Sequence, residues 1–272
     1  MARPLARSVP RVGAFFDMDK TLIAENSGTL FFKHRYQKGQ MGGWDLAKGL
    51  AAYLQYKIGI LDIQSWTKEM MVQFRGQSER VLVREANQIF KEWVKPAIYP
   101  EAAELVREHR EAGHVVVIVS GATKYVVRPL AECLGVKHFL YTRLETENGR
   151  FTGRVIEPVC FEEGKIYWLQ QLVDQQRIDL AKSWFYTDSI TDLPLLELVG
   201  HPMVVNPDPR IYRTAQRRRW PVRFFTPPGE EGAALPESNP RDGSGRASGA
   251  PEARATGASS PSPRRRTSGA RP

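Results

Sequence analysis

A chain of 272 residues with 42% hydrophobic content can bury a sizeable core in one or two domains. It contains no run near the roughly 20 apolar residues of a membrane-spanning helix, and its basic start, "MARPLARSVPR", lacks the apolar stretch of a secretory signal, so the expected address is the cytoplasm. The two cysteines have no ligand-like spacing, which excludes a disulfide framework and a structural zinc site, and the net charge of +9 points to nucleic acid only if it is focused.

In chain order, "VGAFF" (Val12 to Phe16) is a short apolar run without polar alternation, the pattern of a parallel strand covered on both faces. From Asn26 to Lys95 the periodicity is helical. Leu46, Leu50, Tyr53, Leu54 and Ile58 form one apolar stripe and Ile63, Trp66, Met70 and Phe74 another, with Asp45, Asp62 and Ser78 placed as N-caps. Further on, helical patterns at Pro100 to Ala112, Lys124 to Leu134, Glu163 to Gln176 and Thr191 to Val199 alternate with the strand-like runs "HVVVIVS", "FLYT", "SWFYT" and "HPMVVN". The alternation predicts an α/β fold, a Rossmann-like doubly wound parallel sheet with right-handed crossovers, interrupted by an inserted all-helical bundle. Cys133 and Cys160 are expected as small core residues.

The expected divisions are residues 1–25 and 96–225 for the sheet domain and 26–95 for the helical insert. Residues 226–272 form a tail rich in Pro, Gly, Ser and Arg that is expected to be disordered. The basic excess is focused, because Arg210 to Arg223 holds six arginines and no acid, whereas the tail from Thr226 has seven arginines against five acids. No helix-turn-helix, zinc finger or RNA-binding motif accompanies that segment. A solvated helix end around Arg217 to Arg219 is therefore the preferred reading, and no specific nucleic-acid partner is expected.

Open sheets of this kind bind ligands beyond the carboxyl ends of their strands. Asp17, Asp19 and Thr21 follow the first strand, Ser120 and Gly121 the second, and Asp188 and Asp192 the strand at Ser183, while Lys165 opens an intervening helix. Each alone is ordinary as a cap or turn former. Together they meet the needs of phosphoryl transfer, which are an in-line nucleophile, charge neutralisation and a proton for the leaving group. Asp17 is the expected nucleophile, forming an aspartyl-phosphate, with Lys165 adding positive charge. Asp17, Asp188 and the carbonyl of Asp19 make an oxygen set suited to Mg²⁺. Asp19 is expected to protonate the departing alkoxide and then to deprotonate the attacking water, which requires its pKa to rise by roughly three units. Thr21, Ser120 and the backbone N–H groups of "SGAT", Gly121 included, are expected to hold the phosphate oxygens.

These residues resemble the haloacid dehalogenase superfamily. "DMDKT" is similar to its D-x-D-x-T motif and "VVVIVSGAT" to its strand ending in Ser, while Lys165 and "YTDSITDLPLL" resemble its third and fourth motifs. The resemblance runs from Val12 to Asn206 with the motifs in order, and it implies Mg²⁺-dependent hydrolysis of a small phosphorylated substrate through an aspartyl-phosphate. The acid at Asp19 implies a poor leaving group such as an alcohol. The helical insert resembles the cap of the phosphoserine phosphatase subfamily, which would exclude water and select substrate.

Phosphoserine phosphatases have a Glu nine residues after the nucleophile, where this chain has Asn26, with Glu25 one place short. The place of their carboxylate-binding Arg falls around Glu69, with Arg75 further along, and the Asn-Asp pair of their fourth motif becomes Thr191-Asp192. The expectation is therefore a phosphomonoesterase acting on a small metabolite, with Glu25 and Asn26 as candidate specificity residues. Phosphoserine phosphatase proper is one alternative. A lipid-phosphate phosphatase at a membrane surface is another, for which "LFFKHRYQKG" followed by "WDLAKGLAAYLQYKIGI" offers aromatics and lysines, although core packing explains that stripe better. A non-enzymatic interaction protein ranks last. His34 and His114 are read as structural, and the sequence leaves the oligomeric state open.

Overall fold

The computed structural model describes residues 9–39 and 62–229, with 42, 43, 47, 48, 51 and 55 between them. The apolar stripe from Leu46 to Ile58, the cap at Asp45 and nearly all of the tail thus lie outside the described residues. Within them the chain runs through β1 (Gly13–Phe16), α1 (Ser27–Gln37), α2 (Ile63–Val72), α3 (Glu79–Ile89), α4 (Pro100–Glu111), β2 (Val115–Thr123) and α5 (Lys124–Leu134). It continues through β3 (His138–Glu147), β4 (Arg150–Ile156), α6 (Glu163–Gln176), β5 (Trp184–Thr187), α7 (Leu193–Leu198), β6 (His201–Val205), α8 (Pro209–Arg218) and β7 (Val222–Arg223).

The strands form one seven-stranded sheet in the order β4-β3-β2-β1-β5-β6-β7. β1 sits in the middle, paired in parallel with β2 and β5, and its side chains divide between two apolar layers. Ala14 and Phe16 pack with Val116 and Ile118 against Leu105 and Val106 of α4 and Leu130 of α5. Phe15 packs with Val117 and Val119 against Leu169 of α6, Leu196 of α7 and Ile211 of α8. Helices on both faces explain why these strands read as unbroken apolar runs. Among the described residues no helix is long and apolar enough to cross a membrane.

Three features depart from the sequence expectation. β4 is an antiparallel edge strand rather than part of an all-parallel sheet, joined to β3 by Asn148-Gly149 with φ of +50° and +72°. An Asn-Gly pair suits such a tight hairpin because both residues accept left-handed backbone. The helical pattern from Thr191 breaks into a 3₁₀ turn, Ile190–Asp192, before α7, since Pro194 at the start of that helix leaves no amide to extend it backwards. Cys160 is buried, but Cys133 is exposed, because the buried face of α5 is made by Tyr125, Val127, Leu130 and Ala131.

Asp62 caps α2 by accepting from the Gln64 amide, whereas Ser78 occupies the N-cap position of α3 without a side-chain bond. The strand leaving toward α1 and the segment returning after α3 run side by side, with the Ala24 amide donating to the Ala97 carbonyl at 2.8 Å and the Tyr99 amide to the Leu22 carbonyl at 3.0 Å. The β3–β4 hairpin reaches the α2–α3 turn. There the Gly76 amide donates to the Phe151 carbonyl at 2.8 Å, the Phe151 amide to the Gln77 carbonyl at 3.0 Å, and the Glu79 amide to the Gly149 carbonyl at 2.9 Å. Phe151, Phe74, Leu82, Ala86 and Tyr125 close a small apolar cluster over this junction.

The basic segment forms α8 and β7, with Arg217 and Arg218 in the last helical turn. Arg218 pairs with Glu197 and lies over the Trp220 ring. His34 is buried, with Nδ1 3.7 Å from Glu92, and His114 contacts His109 at 2.7 Å on the opposite end of β2 from the residues described next.

Candidate active site

After Phe16 the chain turns sharply, with the amides of Leu22 and Ile23 both donating to the Met18 carbonyl at 2.9 and 3.1 Å. Lys20 takes a φ of +62°, a left-handed backbone that side chains rarely adopt and that is found where surrounding structure enforces it. The turn sets Asp17 and Asp19 into the wall of a cavity of about 440 Å³ beyond the carboxyl ends of β1, β2 and β5.

Lys165 reaches the base of this cavity from the first turn of α6. Its ammonium donates to Asp17 Oδ1 at 2.7 Å and to the two Asp192 oxygens at 2.8 and 2.9 Å. Thr187 Oγ1 donates to Asp192 Oδ2 at 2.8 Å, and all four residues are buried. Burial works against the Lys165 charge, yet Asp17 and Asp192 outweigh it and hold the ammonium firmly protonated. One cation therefore faces two carboxylates. The surplus negative charge falls on Asp17, which burial pushes up to about 7, with Lys165 pulling it back and Asp192 adding to the rise.

Asp19 meets the start of α1. Its Oδ1 accepts from the Ser27 amide at 3.0 Å, and its Oδ2 accepts from Ser27 Oγ at 3.1 Å and Asn26 Nδ2 at 3.0 Å. Burial raises Asp19 to about 6, and the Ser27 hydrogen bonds keep it from rising further. Asn26 has a second task, because its Oδ1 accepts from the Thr29 amide at 3.0 Å and so caps α1. Asn26→Ala should therefore cost about 1 kcal/mol of stability through the lost cap. Asn26→Asp should keep the cap but set a carboxylate beside Asp19. Thermal melts would separate the two, and a loss of activity confined to the Ala variant would show that Asp19 does not depend on this contact.

At the end of the buried stretch of β2, Ser120 Oγ accepts from the Ala122 amide at 3.1 Å. A Cβ on Gly121 would lie 2.7 Å from the Phe161 ring, so a larger residue would displace a side chain that lines the same cavity. The first turn of α5 follows with no side-chain cap from Thr123, which leaves amides at the cavity wall for an anion. Asp188, buried on the loop after β5, accepts at its carbonyl from the Asp208 amide at 2.8 Å. Asp208 in turn accepts from the Ile190 amide at 3.1 Å and caps α8.

The cavity thus brings together Asp17, Asp19, Asn26, Ser120, Gly121, Lys165, Asp188 and Asp192. Thr21 and Glu25 do not line it. The Thr21 hydroxyl is buried without a hydrogen-bond partner among the described residues, and Glu25 is half-exposed, 3.9 Å from Lys20. Sequence reasoning missed Ser27, Thr187 and Asp208. The polar start "NSGT" of α1 was the available signal for Ser27, and the position of Thr187 directly before Asp188 that for Thr187.

Among the described residues no three His, Cys, Asp or Glu side chains group as a metal site. The set expected for Mg²⁺ needs only two carboxylates, those of Asp17 and Asp188, together with the Asp19 carbonyl, and all three residues line the cavity. These are hard oxygen donors. Four aspartates at the base face the single ammonium of Lys165, while Lys20 is directed to the Ala24 carbonyl and Glu25. The donor set and the unbalanced charge fit a small dication.

A family model for haloacid dehalogenase-like hydrolases matches residues 14–197. The chain is 34% identical over 224 residues to a probable phosphatase of Mycobacterium tuberculosis, covering 80% of this chain and 77% of that one. It is 32% identical over 217 residues to a histidinol-phosphatase of Neisseria meningitidis serogroup C, covering 78% and 98%. Its fold matches a solved structure described as a phospho-aspartyl intermediate analogue of phosphoserine phosphatase, with a TM-score of 0.61, 17% identity and coverage of 82% and 97%. With its buried aspartate–lysine centre beyond the strand ends, the chain belongs to the haloacid dehalogenase-like hydrolases, as an enzyme of their phosphatase type.

Proposed function

We propose that the protein is a Mg²⁺-dependent phosphomonoesterase that hydrolyses a small phosphorylated metabolite through an aspartyl-phosphate on Asp17, with residues 26–95 acting as a cap over the site. The observation that carries this reading is the convergence of Asp17, Asp19, Asp188 and Lys165 on one cavity at an uncapped helix start. An oxygen of Asp17 attacks phosphorus as the bond to the leaving alcohol breaks, and Asp19 gives that alcohol its proton. Asp19 then takes a proton from water, whose oxygen attacks the same phosphorus and frees Asp17 and inorganic phosphate. Lys165 neutralises charge on Asp17 and the phosphate, and Asp192 holds Lys165 in place. Ser120 and the amides at the start of α5 orient the phosphate oxygens. Asp17, Asp188 and the Asp19 carbonyl would hold Mg²⁺, which when bound supplies the positive charge that keeps Asp17 ionised and screens it from the phosphate dianion.

The phosphatase relatives support the reaction class, and the likeness to a phospho-aspartyl intermediate analogue of phosphoserine phosphatase supports an aspartyl-phosphate. Purified protein should hydrolyse p-nitrophenyl phosphate with Mg²⁺ present and lose that activity in excess EDTA, with recovery on adding Mg²⁺ back. Inactivity across a broad panel of phosphate esters would overturn the proposal.

A further inference from the structure

Above the catalytic base, the cavity wall contributed by the insert is mainly apolar, with Thr67 and Gln73 among the apolar side chains. Phe31, Phe32, Trp66, Met70, Met71 and Phe74 face it from α1, α2 and the turn that follows. Tyr125, Leu144 and Phe161 continue the surface on the other side. Two of the polar side chains nearby are already committed. The Tyr125 hydroxyl donates to Glu79 at 2.9 Å, so the residue offers its ring. Arg35 forms a two-pronged pair with Glu85 at 2.8 and 2.9 Å, and its guanidinium lies over the Phe31 and Phe74 rings. Among the described residues no arginine lines the cavity, and its acids are confined to the four aspartates at the base. Glu69 and Arg75 are both exposed and stand outside it. Among the described residues Lys33 is the one cation lining the cavity on the insert side, and it is exposed at the rim.

We infer that the alcohol released from this site carries a bulky apolar group, an alkyl chain or an aromatic ring, seated against the aromatic and methionine wall. The inference rests on the phosphatase reading of the same site and adds the chemistry of the leaving group. A zwitterionic alcohol such as that of phosphoserine would lose water from an amine and a carboxylate without gaining partners, which penalises binding heavily. An apolar group gains from every methylene it buries, and the unbranched methionines can adjust to its shape.

The test uses n-alkyl phosphates from methyl to octyl, with benzyl phosphate as the aromatic arm and phosphoserine, histidinol phosphate and glycerol 3-phosphate as polar comparators. Calorimetry on the Asp17→Asn protein with Mg²⁺ reads binding, and kcat/KM on the wild type reads turnover. Both should rise about fourfold per methylene until the cavity is filled. The polar esters should fall below butyl phosphate, and a benzyl value well above that of the equal-sized alkyl ester would identify a ring as the occupant. Trp66→Ala should lower the octyl-to-methyl ratio on the order of tenfold. A flat or falling series in both measurements, or a polar ester outperforming octyl phosphate, overturns the inference. Rising affinity without hydrolysis of any ester supports the apolar subsite and strikes at the phosphatase reading instead.

Discussion

Asp17→Asn is expected to abolish turnover, by about 10⁴-fold or more, and at the same time to make the metal-free protein more stable at pH 8. In the folded wild type the Asp17 carboxyl is raised from 3.8 to about 7, with burial as the main cause. Below about pH 4 the group is protonated in both the folded and unfolded chain, so its raised value costs nothing. Between about pH 4 and pH 7 the unfolded chain has released this proton while the folded chain still holds it, so wild-type stability falls across that window and the loss is complete once the folded carboxyl ionises near 7. An amide escapes the loss. A gain of roughly 2 kcal/mol, or about 5 °C in Tm, is reasonable at pH 8 in EDTA, with little gain at pH 4. Mg²⁺ should then narrow the gap by stabilising the wild type more than the variant. Equal melting of the two proteins at both pH values would refute the account of Asp17 as a strained, buried carboxylate.

Lys165→Met carries the second large effect, in the opposite direction for stability. It leaves Asp17 and Asp192 buried at the base without their shared cation, and breaking a buried pair this way costs about 3–5 kcal/mol. The unpaired carboxylates would bind protons more tightly in the folded state than in the unfolded one. The damage is therefore full at neutral pH and fades as pH drops toward 4. Turnover should disappear with it. Combining Lys165→Met with Asp17→Asn should recover part of the stability and none of the activity, which melts and steady-state rates on the same preparations can read. A single variant that melts like the wild type would mean that the ammonium does not hold the two acids together.

The sheet was legible because its central strands are covered on both faces and so carry unbroken apolar runs, and α5 and α6 begin and end where their periodicity does. β4 was not read as a strand, although Asn148-Gly149 announced a hairpin, because its residues alternate too weakly to stand out. Asp17, Asp19, Ser120, Lys165, Asp188 and Asp192 could be singled out since strand ends and a helix start are where such a sheet assembles ligands. Ser27 and Thr187 could not, and Asn26 was singled out for specificity and not as a partner of Asp19. Asn26 and Ser27 reach Asp19 through a turn, and Thr187 reaches Asp192 across a 3₁₀ step, spacings that no periodicity marks. The aromatic stripe of the insert was read as core packing because helical spacing reports which face is apolar, not whether that face meets solid protein or a cavity. Leu30 joins the core, Phe31 both packs against it and lines the cavity, and Phe32 lines the cavity.

The hairpin contact at the α2–α3 turn ties one end of the helical segment to the edge of the sheet. The amides of Gly76, Glu79 and Phe151 and the carbonyls they meet fasten that end of the insert to the sheet edge by main-chain bonds, which no choice of side chain can weaken. At the start of α1 the Asn26 side chain and the Ser27 amide and hydroxyl all donate to Asp19, so any displacement of that helix start would also strip the acid of its hydrogen bonds.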